Sequence, residues 1–162
     1  MSNDREVIQK AVEEALSGKG AHVASQNVFE GLDWKLAGTR PEGAPHSVFE
    51  ILNHLNFWQD WVVKWRKGEK PAIPKHAAGG WPGGASPASK KEWDKAVRSF
   101  QKGLKELGRA PQKADLLAKR GKSSPLQMLH AIASHNSYHL GQVVVLRQIL
   151  GAWPPPSGGV TW

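Results

Sequence analysis

Apolar residues in this chain return every three or four positions, and no stretch sustains the alternation expected of a half-buried strand. That period gathers them on one side of a helix, so the core is expected to lie between helices rather than between sheets. Four stretches carry the pattern. From Asp4 to Leu16 the stripe is Val7, Ile8, Ala11, Val12 and Ala15, with Gly18 and Gly20 just past its end. Ser47 is suited to an N-cap, Glu50 completes a capping-box pattern three residues on, and the helix they open reaches about Lys67. A third helix is expected from about Ser89 to Leu107, with Trp93, Val97, Phe100, Leu104 and Leu107 on one face. The fourth begins near Ser124–Pro125, since proline is pre-organised for a first helical position. It ends near Leu150–Gly151, ahead of Pro154–Pro156.

A shorter helical segment is expected from Ser25 to Leu36, carrying Val28, Phe29 and Leu32. Gly38–Pro45 reads as a connection, and the proline- and glycine-rich stretch from Gly68 to Pro87 as an extended linker over the surface. Four long amphipathic helices most economically form an all-α four-helix bundle with long irregular connections, residues 1–162 making a single domain. Connections of that length also permit helices adjacent in sequence to be non-adjacent in space.

The longest aliphatic run is Val143–Leu146, far short of the ~20 residues of a membrane span. The N-terminus lacks the basic and apolar regions of a secretory signal, so a cytoplasmic protein is expected. With no cysteine among 162 residues, disulfides, thiolate metal sites and cysteine nucleophiles are excluded. Of the 22 Lys and Arg, 16 fall between residues 64 and 122 against 5 of the 14 acids, while the rest of the chain nets −3. Nucleic acid is one anionic partner this would suit. A solvated linker and helix face is the reading preferred, because no nucleic-acid-reading motif accompanies the charge.

The histidines narrow the chemistry. His135 and His139 are four apart, hence on one helical face, in a stripe running Met128, Ile132, His135, His139, Val143, Leu146 and Leu150. His54 lies in a stripe with Ile51, Trp58, Trp61 or Val62, and Trp65. Three imidazoles thus point toward one interior, where each needs a partner for its nitrogens. A divalent metal satisfies three lone pairs at once and, with three protein ligands, keeps a position open for a reactant. His54, His135 and His139 are therefore the candidate ligands. Separately hydrogen-bonded core histidines are the alternative.

His135 to His139 shares the spacing of a zincin helix, but Asn136 stands where the glutamate base would be, which disfavours a peptidase. His130 falls almost opposite His139 on the helix, and His22, His46 and His76 fall in connections, where ordinary packing or surface roles are expected. Gln142, Trp58 and Tyr138 are candidates for lining the pocket or orienting a ligand. Gly141, in mid-helix, suggests close approach of another helix. Trp81, Trp153 and Trp162 are expected over the bundle ends or at a subunit contact.

The segments Pro45-His-Ser-Val-Phe-Glu-Ile-Leu-Asn-His54 and Leu129-His-Ala-Ile-Ala-Ser-His-Asn-Ser-Tyr-His-Leu-Gly-Gln142 resemble the DinB-like and YfiT-like metal-binding bundles. So does the tail from Leu146 to Pro156, and the similarity spans most of residues 20–162. The resemblance implies a four-helix bundle, often a homodimer, with nickel or zinc (iron or manganese being further options) held by one histidine of the second long helix and a pair four apart on the last. Those positions are His54, His135 and His139. It also implies two activities: thiol S-transfer using a low-molecular-weight thiol such as bacillithiol or mycothiol, and hydrolysis. The absence of a carboxylate from the histidine motifs favours the transferase over the metal-dependent hydrolase. A non-enzymatic metal-binding or nucleic-acid-binding stress protein is the remaining alternative.

Overall fold

A computed structural model describes residues 2–109 and 116–159. Its long helices are α1 (Ser2–Ser17), α3 (Val48–Arg66), α4 (Lys90–Gly108) and α5 (Pro125–Ile149), with a one-turn helix α2 (Trp34–Ala37) and two 3₁₀ turns at Ser25–Asn27 and Ala77–Gly80. Among the described residues no strand forms; Arg120 and Ser123 make an isolated bridge.

The helix starts follow the local chemistry. Ser47 Oγ accepts the Glu50 N–H while the Glu50 carboxylate accepts the Ser47 N–H, and Ser124 and Gln127 repeat the arrangement at the head of α5, with Pro125 inside the first turn. Each such box satisfies two of the amide donors that a helix start leaves without intrahelical partners.

Around the bundle α3 packs on α4 and α5, and α1 packs on the same two, which puts α1 diagonal to α3 and α4 diagonal to α5. The non-adjacent connections that the linker lengths permit are thus realised. The expected helix from Ser25 to Leu36 is not continuous. Gly31 adopts φ +69°, outside the right-handed region, and Asp33 caps a new helix by accepting the Lys35 and Leu36 N–H groups. Val28, Phe29 and Leu32 nonetheless reach the core as expected.

That core has two parts. One gathers Phe29, Leu52, Leu55, Phe100, Leu140 and Val143; the other gathers Val12, Leu16, Val62, Leu107, Leu129 and Ile132. On α3 the polar Gln59 lies between the two contributions, and on α5 Asn136 does, both only 1% exposed. Near the end of α5, Arg147 is equally buried and donates to the carbonyls of Val28, Glu30 and Ala152, with its guanidinium over the Trp153 ring. A cation is costly to bury unless its donors are satisfied, and these bonds tie the first connection and the tail to the bundle end. Trp153 packs at that end as expected; Trp162 lies outside the described residues.

Candidate metal centre

α3 supplies His54, and consecutive turns of α5 supply His135 and His139. The ring centroids lie 4.9 Å (His54–His135), 4.7 Å (His54–His139) and 4.6 Å (His135–His139) apart. One nitrogen from each ring falls within 4.8 Å of the others, a grouping that can hold a metal ion. The three residues assembled from the stripes are therefore brought together.

The outer nitrogens define how the rings face. His54 Nδ1 donates to the Gly80 carbonyl at 2.6 Å, and His139 Nδ1 donates to Gln142 Oε1 at 2.7 Å. Since each acceptor takes the Nδ1 proton, the neutral rings present bare Nε2 lone pairs. His54 Nε2 lies 3.0 Å from His135 Nε2. A tetrahedral ion with bonds of about 2.0–2.1 Å would hold such nitrogens roughly 3.4 Å apart, so the pair stands near ligand spacing. His135 Nδ1 is buried and has no hydrogen-bond partner among the described residues. The donor set fits a divalent ion: inward lone pairs repel one another unless a cation or proton lies between them.

Burial lowers the pKa of all three rings, His135 to about 4, and mutual repulsion of the imidazoles pushes His135 further in the same direction. A neutral imidazole is the form that coordinates, so the site is ready for a metal at pH 7 without first losing protons.

The histidines sit on the flank of the core rather than at its centre. The deepest line of α5 runs through Leu129, Ala133, Asn136, Leu140, Val143 and Arg147, and His135 is half-buried beside it. On α3, Trp58, Trp61 and Trp65 are likewise half-buried, not central. Trp58 meets His54 and His135 edge-on at 6.4 and 6.5 Å. Tyr138 contacts the His139 ring while remaining 66% exposed. Asn136 turns into the core, away from any role as the missing base of a zincin.

Residues 21–143 match the family model described as the DinB superfamily. The chain belongs to the DinB superfamily. No curated protein and no solved structure gives a match. In this DinB-superfamily chain the matched stretch contains all three histidines and Gln142.

Sequence reasoning assigned Trp81 elsewhere. The linker from Gly68 to Pro87 does not merely cross the surface: its 3₁₀ turn delivers the Gly80 carbonyl to His54 and sets Trp81 flat on the same ring, centroids 3.9 Å apart. His46, expected in an ordinary packing or surface role, packs by stacking on Trp81 at 3.7 Å. A large indole inside an otherwise apolar-poor, glycine-rich linker is the signal that could have marked it, because such a ring has no reason to stay in water. His22 bonds Ser137 Oγ and the Val23 carbonyl, while His76 and His130 are exposed, so these three stay outside the cluster. Gly141 marks no close helix approach among the described residues, since a Cβ placed there meets none of their atoms within 4 Å.

Proposed function

We propose that this DinB-superfamily protein binds one divalent metal, nickel or zinc, through His54, His135 and His139, and uses it for thiol S-transfer from a low-molecular-weight thiol. The observation that carries the reading is the convergence of ring nitrogens whose outer N–H groups on His54 and His139 are already committed to protein acceptors. Imidazole donors suit these metals. A metal bound there supplies Lewis acidity that favours the thiolate form of an incoming thiol.

The protein's own contribution is orientation. Gly80 and Gln142 hold two imidazoles with their lone pairs inward, and Trp81 covers one face of His54, keeping water from that side. Three protein ligands leave room for the reactant thiol. In the transfer the thiol gives up its proton to solvent, sulfur forms a bond to an electrophilic carbon, and the leaving group departs with the electron pair of the bond that breaks. The chain has no cysteine, so the sulfur nucleophile must come from the small molecule. Among the described residues no carboxylate joins the histidine cluster. That favours a transferase over a hydrolase of the kind that adds a carboxylate base to the metal's own activation of water.

Elemental mass spectrometry on untagged protein tests the site. About one nickel or zinc per chain is expected, lost in His135→Ala. No metal in the parent protein after reconstitution overturns the reading. With metal bound, thiol-dependent release of chloride from an electrophilic chloroarene tests the reaction; release that does not depend on the thiol refutes S-transfer.

A further inference from the structure

Gly141 lies inside a 25-residue helix, where glycine is unfavourable relative to alanine, yet among the described residues nothing packs close enough to require it. Successive turns beyond it place Val145 and Ile149 on the same face, 52% and 63% exposed. These positions border an open groove of about 540 Å³ that also takes in Pro45 and, as its buried floor, Ile51 and Leu146. The groove adjoins the candidate metal centre one contact removed: His46 and Gln142 line it, while His54, His135 and His139 do not. Gln142 holds the His139 ring, and His46 stacks on the indole that covers His54.

We propose that this groove binds the apolar part of the molecule on which the centre acts: a neutral alkyl or aromatic group joined to the reacting carbon. The proposal rests on the metal-dependent transfer reading and assigns its electrophile. A volume of this size, mostly apolar with a few polar groups in its lining, is what small-molecule sites offer. Among the described residues no lysine or arginine lines the groove, and Glu42 does, so a carboxylate, phosphate or other anionic ligand finds no permanently charged cation there. A hydrophilic thiol is equally unsuited to it. Gly141 then has a use: its missing side chain leaves the space that the ligand takes.

The test is an amide chemical-shift titration of isotope-labelled protein with 1-naphthol, in zinc-loaded and metal-free samples. Saturable shifts are expected at Gly141, Val145 and Ile149, with affinity at least tenfold weaker in Gly141→Phe, which fills the groove. Val145→Lys, at an exposed position, should weaken binding in the same way and guards against a folding defect in the first variant. Absence of saturable shifts up to the solubility limit, shifts that map elsewhere, or unchanged affinity in both variants overturns the proposal. So does a concentration-dependent dimer that occupies this face and dissociates in Gly141→Phe with no naphthol binding. The same titration on His135→Ala separates the two readings. Naphthol binding retained there while no protein form takes up metal leaves the groove standing and removes the centre; metal uptake without naphthol binding does the reverse.

Discussion

Gln142 touches the candidate centre through another residue, accepting the His139 Nδ1 proton at 2.7 Å. Such outer partners fix the ring's tautomer and orientation, and losing one typically costs 10–100-fold in metal affinity. Gln142→Leu should therefore weaken zinc binding by roughly that factor in a chelator competition, with the urea midpoint of the metal-free protein little changed. The histidines also predict a pH dependence. Their folded pKa values lie below 6.5, His135 at about 4, because burial penalises the charged ring. Above that ordinary value the rings are neutral folded or unfolded, and pH has no leverage through them. As pH falls through it, the unfolded chain takes up protons that the folded rings refuse, and stability declines until the folded rings protonate in turn, His135 near pH 4. The urea midpoint of metal-free protein should drop between about pH 7 and 5.5 and drop less in His135→Leu. An equal drop in both would refute the assignment. The Arg40 hydrogen bond holds Glu50 down to about 2, so loss of that pair belongs to more acidic conditions.

Two helix-interior glycines make a contrast at the scale of elements. Gly103 on α4 faces α3, and a Cβ there would overlap Gln59 Oε1, whose side chain is buried and has little room to move. Gly103→Ala should destabilise by about 1–3 kcal/mol, overpacking outweighing the gain in helix propensity. Gly141→Ala meets no atom and should stabilise by up to about 1 kcal/mol. Calorimetry on the pair distinguishes a glycine required by helix packing from one that is not; stabilisation in both would remove the close α3–α4 contact at Gly103. The close helix approach expected of Gly141 occurs at Gly103 instead.

Across the whole molecule, the candidate centre links α3 to α5, which come together only on folding, and draws the long linker onto them through Gly80 and Trp81. Metal held by all three histidines stabilises the folded chain by mass action, about 2.7 kcal/mol at a hundredfold excess over Kd. For a chain of this length that corresponds to a rise in Tm of roughly 5–10 °C. Zinc should produce that rise in the parent protein and a much smaller one in His54→Ala. An equal rise in both would mean that the ion binds elsewhere.

Much of this was legible before any coordinates, because it depends on near neighbours in the chain. Helical period, the Ser47–Glu50 cap, Pro125 at a helix start and the i,i+4 pair His135 and His139 are set by backbone geometry over a few residues, and tertiary packing had no cause to override them. His54 joined the pair by a weaker inference, from two buried stripes needing a common interior. What depended on the full fold was the depth and company of each side chain. Stripes on α3 and α5 did not reveal that the histidines flank the core, since depth depends on how each helix is rotated against its neighbours. Nor could composition tell that a glycine-rich linker would bring Trp81 and a carbonyl onto His54, or that Gly141 faces open space. A chain's local pattern limits its helices and the faces they can bury; which distant segment comes to rest on a face is decided by the packing of the whole molecule.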